Sequence, residues 1–371
     1  MSEQPETPPE QSAGDRRYGR RPGPALAELH VHIGGAVEPS ILYSMAHAQG
    51  IRLPVTGYWD FVDLVTADPD RVKTHEAYLS LFHWTELIQS SPTVMATCVA
   101  SIIGGGYRHA NIDLIELRFC PAKRNRSREL DLDHIILSAL HGMQRALLEY
   151  PEVRAGLILS ADRTLRPEVN TAIVRKAIKF RDMGIVGVDL AGPDAHTFGG
   201  VRALERIFAE AREVGLGLTI HTGEVPNSED EVAEVLRRIR PDRIGHGVRA
   251  AWRPALLEQM HRDGVVLELC PTSNLRTRVI PSLDDYRFVL ERLESFGVAY
   301  TLNTDGPEFL VTDLPRERAL LREAAILSNE QLAQSDLVAR RSSFIRGSDG
   351  EDASEGFPMP APRTRALVGA P

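Results

Sequence analysis

The sequence predicts an α/β protein, a (β/α)8 TIM barrel, and three observations carry that expectation. Eight short runs rich in Val, Ile and Leu recur along the chain, at residues 27–33, 113–119, 155–161, 186–191, 216–221, 243–248, 265–270 and 298–303. Most lack strict apolar–polar alternation, as strands of a parallel sheet buried on both faces should. Between them lie longer amphipathic stretches, of which 201–214, 230–239 and 283–296 are examples. Glycines just ahead of several runs (Gly184, Gly215, Gly264, Gly297) fit helix C-caps. Strands alternating with helices point to a helix-covered parallel sheet, and eight strands to a closed barrel. An open doubly wound sheet is the alternative. No Gly-x-Gly-x-x-Gly follows the first run, which counts against dinucleotide binding.

In chain order, residues 1–24 are rich in Pro, Glu, Gln and Arg and nearly devoid of apolar side chains. Such a stretch cannot bury enough surface to order itself, so a flexible tail is expected. The first strand follows and is ended by Gly34-Gly35. Residues 43–90 read as a long helical insertion between the first two strands. Its aromatics Tyr58, Trp59, Phe61, Tyr78, Phe82 and Trp84 suit core packing, with a few as a lid wall over the barrel mouth. Residues 347–371 have the composition of a second tail. The expected folded part is therefore 25–346, as one catalytic domain.

Composition excludes several function classes. Of 371 residues, 43% are hydrophobic and 25% charged, ordinary for a globular enzyme. A net charge of -8 argues against nucleic acid or an anionic membrane as a partner held by bulk charge. No apolar run is long enough for a membrane span, and no secretory signal is expected at the N-terminus. Cys98, Cys120 and Cys270 are too few and too scattered for a disulfide framework or a zinc knuckle, so a cytoplasmic setting is expected.

The residues that break the apolar runs lie at their C-terminal ends, where barrels of this kind carry their chemistry. Glu28-Leu29-His30-Val31-His32 puts two imidazoles at i and i+2 of a strand, so both leave by one face. The fifth run ends in His221-Thr222-Gly223-Glu224, the sixth carries Gly245-His246-Gly247, and the eighth ends in Asn303-Thr304-Asp305-Gly306-Pro307. Four histidines and an aspartate at one barrel end are hard to explain as packing, because each would need its own buried partner. Three imidazoles and a carboxylate suit zinc or a similar borderline metal, one ion per chain, with a position left for water. The expected ligands are His30, His32, His221 and Asp305. Glu224 is placed to be a general acid or base beside the metal, and His246 to orient or deprotonate the water.

Taken together, the motifs are similar to those of the adenosine deaminase family of metal-dependent aminohydrolases. The matches are Glu28-Leu29-His30-x-His32, Glu116-x-Arg118-x-x-Pro121, Asp189-Leu190-Ala191-Gly192, His221-x-Gly223-Glu224, Arg243-Ile244-Gly245-His246-Gly247, Cys270-Pro271-x-Ser273-Asn274 and Asn303-Thr304-Asp305-x-Pro307. Their order, over 25–346, makes the resemblance specific. The Pro-Cys-x-x-Cys of cytidine-type deaminases is lacking. The resemblance implies zinc on His30, His32, His221 and Asp305, and attack of activated water on the purine carbon bearing the amine. It also implies that Glu224 protonates the neighbouring ring nitrogen. His246 would orient the water with Asp305 sharing that work, and the Gly192 N–H would hold another ring nitrogen. The products would be ammonia and a hypoxanthine-type nucleoside.

Two departures from the family pattern bear on the substrate. Gly34 stands where the family usually has an acidic or amide residue that contacts the sugar 5′-hydroxyl, and Gly306 where it has a second Asp that contacts the imidazole-side nitrogen. Losing such hydrogen bonds costs about 1–3 kcal/mol each, which suggests a different substrate. Gly34 is expected to open space for a 5′-modified nucleoside. Within the family that suggests 6-amino-6-deoxyfutalosine of a bacterial menaquinone pathway, its carboxylate met by Arg118, Arg163 or Lys123. Adenosine or 2′-deoxyadenosine in purine salvage is the alternative. A lactonase or amidase on the same barrel would usually need a bridging Lys at a strand end, and none is evident. A non-catalytic binding protein would not need the intact His30, His32, His221, Glu224, His246 and Asp305.

Overall fold

The structure, a computed structural model, describes residues 23–68, 72–125, 131–193 and 199–345. Apart from residues 23 and 24, the two expected tails lie outside the described residues. Eight strands appear in chain order: β1 (Leu26–His32), β2 (Ile112–Phe119), β3 (Arg154–Asp162), β4 (Ile185–Ala191), β5 (Gly217–Thr222), β6 (Arg243–His246), β7 (Val266–Leu269) and β8 (Tyr300–Leu302). Each pairs in parallel with the next. The ring is closed just beyond β8. Val31 bridges Asp305, the His32 N–H donates to the Asp305 carbonyl at 2.8 Å, and the Asp305 N–H donates to the His30 carbonyl at 2.9 Å. The fold is thus the expected (β/α)8 barrel.

Strand ends depart from expectation by a few residues, and the causes are local. The sixth run stops at His246 because Gly247 turns into the left-handed region at φ 67° and starts a 3-10 turn. The insertion, expected as one long helical stretch, shows four short helices among the described residues: Pro39–Ala48, Tyr58–Val65, His75–Ser80 and Phe82–Ile88. Gly50, Pro54 and Gly57 punctuate the first gap, and Thr74 caps the third helix by accepting from the Ala77 N–H. Of its aromatics, Phe61 and Tyr78 are buried, whereas Trp59 is 76% exposed.

Alternation along each strand sorts side chains between helical shell and lumen. On β1, Leu29 and Val31 pack outward, while Glu28 and His30 face in. The lumen is charged rather than aliphatic, and most of its bonds cross between strands that are not neighbours. Arg243 on β6 reaches Glu116 on β2 and Glu268 on β7. Arg118 on β2 donates to Glu268 at 2.8 Å, and Thr219 on β5 donates to it at 3.0 Å. Arg118, Arg243, Glu116 and Glu268 are fully buried. Such charges persist inside a protein only as a connected, hydrogen-bonded set.

The chain returns to the barrel's N-terminal end after the helix Asn329–Ser342. There the Phe344 ring lies 3.6 Å from the Arg243 guanidinium, a cation–π contact. It fits because β4 and β5 offer Gly187 and Gly217, where a Cβ would fall 2.8 and 2.1 Å from the ring. Glu116 accepts from the Ser343 hydroxyl at 2.7 Å and from the Phe344 N–H.

Candidate active site

At the opposite, C-terminal end of the barrel, the predicted residues converge. The donor atoms of His30, His32 and His221 all lie within 4.8 Å of one another, as do those of Glu224, His246 and Asp305. His32 Nε2 is 3.0 Å from His221 Nε2, and Asp305 Oδ1 is 3.5 Å from His32 Nε2 and 3.8 Å from His30 Nε2. Gly245 makes the crowding possible: a Cβ there would meet the His30 and His221 rings at 3.0 and 3.3 Å. His246 and Asp305 both hold left-handed backbones, at φ 60° and 64°. Non-glycine residues accept that conformation where surrounding structure imposes it, and functional sites are where this collects.

The outer nitrogens of these rings are already engaged. His30 Nδ1 lies 2.7 Å from Glu268 Oε2, and His221 Nδ1 lies 3.0 Å from Asp189 Oδ1. A carboxylate only accepts, so both rings carry their proton on Nδ1 and turn an Nε2 lone pair to the common centre. His30 Nε2 is buried with no hydrogen-bond partner among the described residues. Asp305 Oδ2 accepts from the Ser273 hydroxyl at 2.6 Å, which leaves Oδ1 toward the imidazoles. A buried orphan nitrogen among imidazoles held in this way fits a divalent cation. Burial drives the pKa values of His30 and His32 well below the ordinary imidazole value, with neighbouring positive groups adding to it.

Beside this centre, Glu224 Oε1 lies 3.4 Å from His246 Nε2 and 3.3 Å from His75 Nε2. Burial alone would raise the Glu224 pKa, but His246, His75 and His221 outweigh it and hold the carboxyl well below its usual value. The Asn274 side-chain amide donates to His246 Nδ1 at 3.1 Å, so the His246 proton sits on Nε2, facing Glu224. A cavity of about 240 Å³ opens over these groups and is walled by Tyr78, Leu79, Phe82, Phe119, Lys123 and Gly192, among others. Gly192 is at φ 93°, and Arg163 holds its carbonyl at 3.3 Å.

Expectations about the substrate contacts change at Gly34 and at Arg163. Gly34 does not open free space: a Cβ there would fall 2.6 Å from the Phe82 ring, which already fills the position. At Gly306 a Cβ would fall 2.6 Å from the Tyr78 hydroxyl. Arg163 is committed to Glu231 and the His221 carbonyl, whereas Arg118, buried at the cavity floor, uses Nη2 on Glu268 and the Leu29 carbonyl and leaves Nε and Nη1 without a hydrogen-bond partner among the described residues. Lys123 lines the cavity, paired with Asp162 at 2.5 Å. His75 is a residue that sequence reasoning missed. It reaches Glu224 from an insertion helix, and no spacing in the chain connects the two.

Solved structures share this closed parallel barrel. An amidohydrolase from Burkholderia ambifaria with bound zinc superposes with a TM-score of 0.77 at 19% identity, covering 92% of this chain and 90% of that one. The family model for adenosine deaminase matches residues 25–353. Aminodeoxyfutalosine deaminase of Acidothermus cellulolyticus is 34% identical over 296 residues, 78% of this chain and 80% of that protein. Adenine deaminase of Agrobacterium fabrum is 30% identical over 320 residues, 86% of this chain and 93% of that protein. The chain belongs to the adenosine deaminase family. It is a hydrolytic deaminase of adenine-type substrates.

Proposed function

We propose that this protein is a zinc-dependent aminohydrolase of a 5′-modified 6-aminopurine nucleoside, with 6-amino-6-deoxyfutalosine as the candidate substrate. The observation that carries the chemistry is the orphaned His30 Nε2 facing His32, His221 and Asp305. His30, His32, His221 and Asp305 would hold the ion, a donor set suited to zinc. When bound, zinc supplies a water-derived nucleophile near neutral pH. Glu224, kept ionised by His246 and His75, takes a proton and delivers it to the ring nitrogen next to the carbon that bears the amine. His246 orients the water through its Nε2 proton. The Gly192 N–H holds a second ring nitrogen, on backbone braced by Arg163. Oxygen replaces the amine, which leaves as ammonia. Three unbridged, buried cysteines are in keeping with a cytoplasmic setting.

The 5′ assignment rests on the 34% identity to an aminodeoxyfutalosine deaminase. Lys123, at the cavity wall and paired with Asp162, is the cation assigned to a substrate carboxylate. A second reading, adenosine or adenine, draws on Phe82 filling the position beside Gly34 and on a cavity of about 240 Å³, small among ligand pockets of roughly 300–1,000 Å³. An absorbance assay on metal-loaded enzyme decides between them, run over adenine, adenosine, AMP, 5′-deoxyadenosine derivatives and aminodeoxyfutalosine. The 5′-modified nucleoside should give the highest kcat/KM by tenfold or more. A higher value for adenosine or adenine overturns the 5′ assignment, and no ammonia from any of them overturns the chemistry.

A further inference from the structure

Tyr78 stands out among the cavity walls. Its residue is 2% exposed, and its hydroxyl is buried with no hydrogen-bond partner among the described residues. It comes from the insertion helix His75–Ser80, so it reaches the site from above the barrel mouth. The ring is braced edge-on against Phe82 and Phe309, with centroids 5.8 and 6.2 Å away. The hydroxyl tip occupies the room that Gly306 leaves, 2.6 Å from where a Cβ would stand. The Asp305 carboxylate lies close enough to act on the hydroxyl, but it makes no hydrogen bond of ordinary geometry with it: Oδ2 accepts from Ser273, and Oδ1 faces the imidazoles. A phenol so placed carries an unused donor and an unused acceptor, and leaving it unmatched costs about 1–3 kcal/mol. A ligand filling the cavity is what can match it.

We propose that the Tyr78 hydroxyl is a substrate-binding group that donates a hydrogen bond to an unprotonated ring nitrogen of the bound aminopurine, at the wall where Gly306 leaves room for it. The donor role follows from the substrate class. An aromatic nitrogen with a free lone pair accepts and does not donate, so the phenol must supply the proton. The assignment extends the aminopurine reading above to a particular side chain. It also ties Gly306 to a purpose: a side chain there would collide with the hydroxyl.

The test uses Tyr78→Phe, which keeps the ring packing and removes one oxygen. With the aminopurine that wild type turns over fastest, kcat/KM should fall about 5- to 150-fold, while bound metal per chain stays as in wild type. Deaza analogues, each with one ring nitrogen replaced by C–H, locate the contact. One of them should lose activity in wild type yet lose no more in Tyr78→Phe. Gly306→Ala provides an independent arm. Its methyl should displace the hydroxyl and cost a similar factor, and adding Tyr78→Phe should relieve the collision, so the double variant is no worse than either single one. Unchanged kcat/KM in Tyr78→Phe, or deaza penalties identical in the two proteins, overturns the assignment while leaving the deaminase reading intact. A wild type inactive on every aminopurine overturns both.

Discussion

Glu224 sits between two imidazoles, and its proposed work is proton transfer rather than metal holding. Glu224→Gln keeps the shape and removes the acid–base chemistry. It should lower kcat by about 10²–10⁴ with metal content unchanged, as measured by steady-state assay and metal analysis on the same sample. Glu268 is the contrasting case, because it touches His30 Nδ1 and not the cavity. Glu268→Gln should weaken metal retention about 10- to 100-fold in a chelator competition, because the ring it orients loses its anchor. His30, His32, His221 and Asp305 were legible in the sequence because an i, i+2 pair on a strand and polar residues at strand ends are local patterns. His75 and Tyr78 were not. They enter the site from an insertion whose helical spacing says only that one face is buried, and Phe82 likewise turns the apparent freedom at Gly34 into a filled position.

Among the elements, the helices Pro271–Arg276 and Leu314–Glu323 are joined by one buried carboxyl, Glu317. It accepts from the Thr272 N–H at 2.9 Å and from the Thr312 hydroxyl at 2.6 Å. Burial nevertheless raises its pKa from 4.5 to about 7. The folded state therefore holds this proton more tightly than the unfolded chain. The contribution to stability is complete below pH 4.5 and drains away as pH rises toward 7, by up to about 3 kcal/mol. Glu317→Gln should be stabilising relative to wild type at pH 8 and neutral or mildly destabilising at pH 4.5, in urea melts at the two pH values. The strands themselves were readable to within a few residues, since aliphatic runs and glycine caps mark them. The insertion was harder: short helices broken by Gly50, Pro54 and Gly57 carry too few turns for a clean period.

For the whole molecule, closure and chemistry share a seam. The Asp305 main chain pairs with β1, and its carboxylate faces the imidazoles that β1 carries. Stripping the metal with a chelator should speed amide hydrogen exchange at His32 and Asp305 more than at the β3–β4 pairing, and adding zinc back should reverse it. Equal changes at both places would break the link between seam and site. The barrel was legible from eight runs in order. The stacked charges of its lumen were not, because Glu116, Arg118 and Arg243 look like strand-end polar residues until the ring is closed. Nor was Phe344, one aromatic after a helix with no period to belong to. Seated against Gly187 and Gly217, it stoppers the base of the barrel and shields Arg243, which holds Glu268, which in turn steers His30. Water admitted from below would hydrate that relay one charge at a time, so the far floor of the molecule helps keep an imidazole at its mouth aimed.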